Sequence, residues 1–260
     1  MIKKIIKSIF CAFYDAGLVP KGLVAENYRN RLDTRKLFRG RTVKYDDRGF
    51  WYVSPMPGPE ELNRYYEGLY WQARGKNEGI TARDIDHFLL LRKLMPGFFE
   101  KPKKCLNFGA GHGGISHLLY LDGHEVINVE PSGISVDYDD PRWRTVTDIS
   151  EVNEKVDLVY GSHSLEHVRD IDAFERIIWN MVKDGGYVFW EVPNGEFPRN
   201  GGSNGKIFPP HTYYFTVDYF RGLPYQLLLD DTYNSRVFPG PVVKGGEVIR
   251  FLGQKPAEAA

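Results

Sequence analysis

The sequence predicts an α/β fold in which a doubly wound, mostly parallel sheet follows an N-terminal extension of helices and a β-hairpin. Three observations lead to this prediction. From Lys104 onward, short apolar stretches alternate with helical stretches, as in parallel sheets covered on both faces. A glycine-rich segment, CLNFGAGHGG at 105–114, joins the first of these stretches to a helix. Before residue 100, by contrast, helical segments flank one segment with the pattern of a β-hairpin.

The composition is that of a globular chain with a sizeable core. The 260 residues are 42% hydrophobic and 26% charged, and 34 basic side chains balance 34 acidic ones. Residues 1–50 hold 12 basic side chains against 5 acidic ones, so the front of the chain is positive and the remainder negative. The balanced total gives no support to a nucleic-acid substrate. With two cysteines, Cys11 and Cys105, no zinc site or disulfide framework is expected, which fits a reducing cytoplasm.

The chain begins with the periodicity of an amphipathic basic helix. Apolar side chains recur at helical spacing with lysines between them: Ile2, Ile5, Ile6, Ile9, Phe10 and Phe13, with Lys3, Lys4 and Lys7. The apolar stretch is too short to span a bilayer and lacks the cleavage site of a signal peptide. Two kinds of partner remain open. The helix binds peripherally to the inner face of a membrane, or it packs on protein, either its own domain or a sister subunit of a homo-oligomer.

Three further elements are predicted in the extension. RTVKYDDRGFWYVSP predicts two strands around a turn at 46–49. PEELNRYYEGLYWQ predicts a helix that begins at Pro59, and TARDIDHFLLLRKLM predicts another, capped by Thr81 with Asp84 in its first turn. We assign residues 1–100 to the extension and residues 101–260 to the sheet domain.

The second part of the chain supplies the sheet. Candidate strands are 105–108, 125–129, 144–147, 156–161, 186–192, 225–231 and 246–253, and candidate helices are 114–121, 170–182 and 216–222.

The glycine-rich turn has the spacing of a nucleotide-cofactor loop. Gly109, Gly111 and Gly114 give the G-x-G-x-x-G of dinucleotide-binding proteins. Gly109, Gly111 and Gly113 give the G-x-G-x-G of S-adenosylmethionine-binding proteins. Both classes need a carboxylate after the second strand to bind the ribose hydroxyls, and Glu130 stands there, 19 residues after Gly111. The loop by itself leaves both cofactors open.

The next segment distinguishes the two cofactors. It contains, in order, an apolar strand at 157–159, SLEHV at 164–168, VKDGG at 182–186 and VPN at 192–194. These motifs, and the stretch from about 104 to 253, resemble class I S-adenosylmethionine-dependent methyltransferases, most closely the branch that acts on sugars and other small molecules. That family has a Rossmann-like sheet with a reversed terminal strand, for which GEVIRFLGQ is the candidate.

The resemblance has two departures. YVSPMPGPEELNRYYEGLYW resembles the family's lead-in segment, but the zinc-binding cysteines of many relatives are missing, so no metal is expected. Asn107 stands where the family usually has an acid. Its amide can still hydrogen-bond the loop backbone, but it brings no charge.

The resemblance implies S-adenosylmethionine as the cofactor and assigns its contacts residue by residue. The glycine-loop residues Gly109, Ala110, Gly111 and Gly113 would flank its amino-acid portion, Glu130 its ribose, and Asp148 its adenine, while Ser162 and His163 would lie at the mouth of the site. Asp148 also suits a helix cap. From the front helix, Tyr70 and Arg74 are weaker candidates, with Arg74 on the methionine carboxylate.

The expected reaction is methyl transfer to a hydroxyl of a sugar, glycan or related metabolite, as in polysaccharide biosynthesis. A hydroxyl acceptor needs a base, and histidine is the usual choice near neutral pH. His163, His167 and His211 are candidates. His211, in FPPHTYYFT, resembles the segment that covers the active site in this branch, so we favour it over His167. The alternatives are a nicotinamide-dependent oxidoreductase and a cofactor-binding relative without catalysis.

Overall fold

Two β-sheets contain the strands of the described residues. The computed structural model describes residues 2–19, 36–62, 79–132, 138–235 and 241–257. The helices are α1 (Ile2–Asp15), α2 (Ala82–Leu94), α3 (Gly114–Leu121), α4 (Ile171–Met181) and α5 (Val217–Arg221). The strands are β1 (Thr42–Asp46), β2 (Phe50–Ser54), β3 (Lys104–Phe108), β4 (Glu125–Val129), β5 (Trp143–Val146), β6 (Val156–Ser162), β7 (Val182–Pro193), β8 (Tyr213–Phe215), β9 (Gln226–Tyr233) and β10 (Val248–Gln254).

The larger sheet has seven strands in the order β5-β4-β3-β6-β7-β10-β9. The first five are parallel, and β10 runs antiparallel to both β7 and β9. This confirms the predicted Rossmann-like class and its reversed strand. The strand order changes direction between β3 and β6. In open α/β sheets such a switch point leaves a crevice outside the carboxyl ends of the strands.

Alternation along the central strands builds a core on each face of the sheet. Leu158 packs with residues of α2 and α3, whereas the next residue, Val159, packs with residues of α4 and α5. In β3, Cys105 and Leu106 divide between the two cores in the same way. Successive strand side chains point to opposite faces, so two buried neighbours require a sheet covered on both sides.

The predicted hairpin forms and is extended by a strand that the sequence did not reveal. The N–H of Gly49 donates to the carbonyl of Asp46 at 2.9 Å and closes the turn between β1 and β2. Strand β8 pairs antiparallel with β2, placing Phe215 opposite Phe50. A three-residue strand is too short to show a period-2 pattern. Its pairing joins the extension to the sheet domain.

Most element boundaries agree with the sequence. Thr81 caps α2: its hydroxyl accepts the N–H of Asp84, and the Asp84 carboxylate accepts the N–H of Thr81. Helical residues begin at Pro59 as predicted and are described as far as residue 62. The main difference is β7, which begins at Val182 rather than residue 186, because Val182 at the end of α4 already pairs with Val156 of β6.

Candidate functional site

A cavity of about 750 Å³ opens where β3, β4 and β6 end, at the switch point of the sheet. The final residues of these three strands, Phe108, Val129 and Ser162, line it. The start of α4 forms another part of the wall. Three residues of the extension complete it: Pro59, Leu62 and Arg83. A cavity of this size is in the range of small-molecule and cofactor sites.

The glycine loop has the backbone that its sequence predicts. Gly109, Gly111 and Gly113 have φ angles of +69°, +56° and +75°, which residues with a Cβ rarely adopt. A Cβ on Gly109 would lie 2.5 Å from the Cβ of Ser164, so the position excludes any side chain. The N–H groups of Gly109 and Ala110 both donate to the carbonyl of Val129, at 2.9 and 3.1 Å. The loop is therefore fixed against the end of β4.

Glu130 is buried at the end of β4, where the ribose-binding acid was predicted. One carboxylate oxygen accepts the N–H of Gly111 at 2.7 Å, and the other accepts the N–H and hydroxyl of Ser132 at 3.0 and 2.6 Å. A carboxylate offers about four lone-pair positions, so these three bonds leave capacity for a ribose hydroxyl. Glu130 lines the cavity, and its position fits a nucleoside cofactor.

Two more of the predicted cofactor residues lie on the cavity wall with structural partners of their own. Asp148 caps the short 3-10 helix Ile149–Glu151 by accepting the N–H of Ser150 at 2.8 Å. Hydrogen bonding from the Ser150 side chain, followed by that from its backbone N–H, lowers the pKa of Asp148. It also lines the cavity, so the cap and an adenine contact are compatible. The Ser162 hydroxyl donates to the buried Glu191 at 3.0 Å.

His163 lies between two buried carboxylates. Its Nδ1 is 3.4 Å from Glu166 and its Nε2 is 3.4 Å from Glu191. Burial opposes the charge of the imidazole, but the contacts with both carboxylates outweigh it and raise the pKa of His163 to about 9. Its backbone has a φ of +51°, unusual for a residue with a side chain. His163 is thus an imidazolium at neutral pH and not a general base.

The other two candidate histidines surround Glu166. The Nε2 atoms of His167 and His211 lie 3.7 and 3.9 Å from the same Glu166 oxygen. Burial disfavours the charge on Glu166, which is 1% exposed, but His167, His163 and His211 together lower its pKa to about 2. His167 lines the cavity and His211 does not, and their ring centroids lie 5.0 Å apart.

Thr212 explains how His211 reaches a turn distant in sequence. Its N–H donates to the carbonyl of Glu166 at 2.9 Å, and its hydroxyl, 2.7 Å from the carbonyl of Val168 and 2.9 Å from that of Glu166, shares its single proton between the two. The segment before β8 is thereby fixed to the turn that carries Glu166 and His167. The cluster of Glu166, His163, His167 and His211 is named the histidine cluster below.

Part of the histidine cluster also has the chemistry of a metal site. Glu166, His167 and His211 each offer one ligand atom, and these atoms lie within 4.8 Å of one another. Imidazole nitrogens and carboxylate oxygens are ligands that zinc uses. The expectation of no metal came from the cysteine count, which says nothing about a site without cysteine.

Sequence reasoning missed three residues at the site. Glu166 belongs to the SLEHV motif, but the motif alone assigns it no role. Glu191 is fully buried at the end of β7 and lies 2.7 Å from Nε2 of His87. The signal for it was a lone acid in the apolar run VFWEVP. Arg83 lines the cavity, and its guanidinium is 3.4 Å from Glu191. Tyr70 and Arg74 lie outside the described residues.

Asn107 has a structural role that differs from the expected one. Its amide donates to the hydroxyl of Ser116 at 2.8 Å rather than to the loop backbone, and that hydroxyl donates to Asn128 at 2.6 Å. All three side chains are buried. The neutral amide of Asn107 thus links β3, α3 and β4 without placing a charge in the core.

Comparisons with known proteins agree with the fold and the site. Residues 81–224 match the sequence profile of a family described as a methyltransferase domain. A ubiquinone biosynthesis O-methyltransferase of Rhizobium etli is 30% identical over 154 residues, which cover 50% of this chain and 61% of that protein. Its counterpart in Pseudomonas savastanoi pv. phaseolicola is 34% identical over 107 residues, covering 35% and 45%. The chain therefore spans about half the length of the curated relatives that it matches.

A solved structure extends the likeness over most of the fold. The 1,6-didemethyltoxoflavin-N1-methyltransferase of Burkholderia thailandensis, crystallised with that substrate and S-adenosylhomocysteine, superposes with a TM-score of 0.52. The alignment covers 82% of this chain and 99% of that one at 17% sequence identity, so it shows the fold alone. The family match covers more than half of the chain and includes the glycine loop, Glu130 and all four members of the histidine cluster. The chain therefore belongs to the class I S-adenosylmethionine-dependent methyltransferases.

Proposed function

We propose that the protein transfers the methyl group of S-adenosylmethionine to a hydroxyl oxygen of a sugar, glycan or related metabolite. The observation that carries this proposal is the histidine cluster, because it sets a base with a buried carboxylate at the edge of a cofactor-sized cavity. The cavity fits the cofactor in two respects. The glycine loop has no room for a side chain at Gly109, so the cofactor can approach the backbone there. Glu130 can still accept a hydrogen bond from a ribose hydroxyl of the cofactor.

The protein's part in the reaction is to bind, orient and shield. S-adenosylmethionine, when bound, supplies an electrophilic methyl group on a sulfonium. Glu130 orients the nucleoside end, and the fixed loop at Gly109 to Gly113 aligns the amino-acid end. Such alignment, with water excluded, accounts for much of the barrier reduction in a displacement of this kind.

His167 is the better-placed base for the acceptor proton. It lines the cavity, whereas His211 contacts His167 without lining the cavity itself. This reverses our preference from the sequence for His211. Glu166 then stabilises the imidazolium that forms on His167, and His211 helps to hold Glu166 in place. His163 already carries its proton at neutral pH and cannot serve as the base.

The names of the relatives suggest a second class of acceptor. The proteins from Rhizobium and Pseudomonas are named for ubiquinone biosynthesis, so an aromatic hydroxyl is the alternative to a sugar hydroxyl. Polar side chains at the cavity, among them Arg169 and Asp170, support a sugar or other polyhydroxylated acceptor. Both classes take the same base and the same in-line geometry.

The test measures methyl transfer from labelled S-adenosylmethionine to sugar nucleotides, glycans and ubiquinone precursors. His167→Gln is expected to lower kcat by at least about 100-fold, with the cofactor Kd unchanged. The control is His117→Gln, which changes a histidine of α3 that stacks on Trp143 away from the cavity. Cofactor binding without transfer to any acceptor would favour the non-catalytic relative. Binding of NADH but not S-adenosylmethionine would favour the oxidoreductase.

A further inference from the structure

Helix α1 directs its apolar stripe away from the protein. Tyr14 is buried and packs with Phe10, Cys11 and Val19, so this is the inner face. Ile9 and Phe13, on another side of the helix, are 51% and 50% exposed. An amphipathic helix that only docked on its own domain would bury its apolar stripe.

The apolar spacing of Ile9 and Phe13 continues in both directions along the sequence. Positions 2 and 6 precede Ile9 and Phe13 at intervals of four, three and four residues, which is the spacing of one helical face, and both are isoleucine. Leu18, just after the helix, is 67% exposed. Exposed apolar side chains grouped in this way mark an interaction surface, whereas single ones are ordinary.

The charge of the helix favours an anionic partner. Lys3, Lys4 and Lys7 are interspersed with the apolar positions, and Asp15 is the single acid of α1. Arg39, from the turn before β1, forms an ion pair with Asp15 and offsets its charge. By sequence the lysines fall on the side of the helix away from Ile9 and Phe13, so α1 combines an apolar stripe with a positive opposite face, as helices that lie in the surface of an anionic membrane do.

We infer that α1 binds the surface of a membrane rich in anionic lipid. Ile9, Phe13 and Leu18 insert below the headgroups, and the lysines contact the lipid phosphates. The helix lies in the plane of the surface, in keeping with the finding that no helix among the described residues is long and apolar enough to cross a membrane. This inference is independent of the acceptor and of the base proposed above.

Co-sedimentation of the full chain with vesicles tests the inference. One vesicle preparation is phosphatidylcholine alone, and the other contains about one-third phosphatidylglycerol. We expect binding to the anionic vesicles, weak binding to the neutral ones, and release at about 1 M salt, where the Debye length falls to about 3 Å. Phe13→Asp is expected to weaken vesicle binding by about 10-fold or more, because a carboxylate replaces the aromatic side chain that inserts into the lipid.

The matched control is Leu121→Asp, which makes the same kind of change at a 74% exposed leucine at the end of α3. It is expected to leave vesicle binding unchanged. Circular dichroism and thermal unfolding establish that both variants fold. Equal binding to neutral and anionic vesicles, or unchanged binding of folded Phe13→Asp, would overturn the inference. A chain that ignores vesicles but forms a dimer dissolved by Phe13→Asp would assign the stripe to a second copy instead.

Discussion

Buried charge at the cavity is balanced side chain by side chain. Glu166 and Glu191 are both fully buried, and an isolated buried carboxylate would take up a proton. Each instead lies within 3.4 Å of His163, and each has further histidine neighbours. These contacts keep the pKa of both carboxylates below its usual value although burial acts in the opposite direction. The neighbouring imidazoles therefore stabilise the charged form of both buried carboxylates.

The raised pKa of His163 makes stability depend on pH. In the unfolded chain the group titrates near 6.5, and in the folded protein near 9. The extra stability is complete below about pH 6.5 and is lost as the pH rises through 9. We expect the free energy of unfolding to fall by roughly 2 kcal/mol across that interval.

Urea unfolding between pH 6 and pH 9.5 measures this effect. The variant His163→Gln keeps a polar side chain of similar size but has no proton to lose. Its unfolding free energy is expected to change much less than that of the wild type over the same interval. Parallel pH curves for the two proteins would show that His163 is not the group responsible.

The proposed contact between Glu130 and the cofactor ribose can be tested by a single substitution. Replacing its carboxylate by glutamine weakens the acceptor of the Gly111 N–H and of the cofactor ribose. Hydrogen bonds to charged groups are worth about 1.5–3 kcal/mol, so the Kd for S-adenosylmethionine should rise by roughly 10- to 100-fold in calorimetry. Glu125→Gln, at the half-buried start of β4, should leave the Kd unchanged. Equal losses in both variants would argue against a specific ribose contact.

Among the elements, the turn between β3 and α3 is the most constrained by sequence. Gly109 requires both a positive φ and close contact with Ser164. Gly123, in the turn after α3, has a φ of +95°, but a Cβ added there would have nothing within 4 Å. An alanine at Gly123 would therefore meet only the unfavourable backbone angle, whereas an alanine at Gly109 would meet that angle and a steric overlap as well.

We expect Gly109→Ala to destabilise the protein more than Gly123→Ala. The positive φ costs an alanine about 1–2 kcal/mol at either site. At Gly109 the overlap with Ser164 adds a further cost of roughly 1–3 kcal/mol, as in overpacked cores. Chemical unfolding of the two variants measures the difference, and similar losses would mean that Ser164 moves aside at little cost.

The elements that the sequence predicted well are those with a local signal. Helix α3 was predicted at 114–121 and is found there, because the glycines that precede it and its helical periodicity indicate the same start. Strand β8 was missed because its stability comes from pairing with β2 rather than from its three residues. The early start of β7 has the same origin, since Val182 is in a strand only through its partner Val156.

At the scale of the whole molecule, Phe50 connects the extension to the sheet domain. Its ring centroid lies 5.5 Å from that of Tyr213 and 5.4 Å from that of Tyr219. It is 1% exposed and belongs to the core on the α4 face of the sheet. The assignment of 1–100 and 101–260 as separate units stays a prediction, but these contacts give the two parts a shared core.

Phe50→Ala is expected to destabilise the protein by about 3–5 kcal/mol, the usual cost of deleting a buried aromatic side chain. Tyr45→Ala, which truncates an exposed aromatic residue of the same hairpin, should cost much less. Unfolding in urea gives both values. If the hairpin were only loosely attached, the two substitutions would have similar small effects.

The sequence by itself determined the fold class, the cofactor loop and its partner Glu130, because these depend on local spacing: period-2 strands, glycine turns and an acid at a strand end. Only the tertiary structure decided that His163, His167 and His211 surround Glu166 and that Glu191 holds Arg83 and His163 at the cavity. His163, Glu166 and His167 belong to one turn, but His211, Glu191 and Arg83 reach them from distant parts of the chain. The pairing of β6 with β7 and the hydrogen bonds of Thr212 set the distances between these groups. Both depend on contacts between separate segments, so neither can be read from one segment of the sequence.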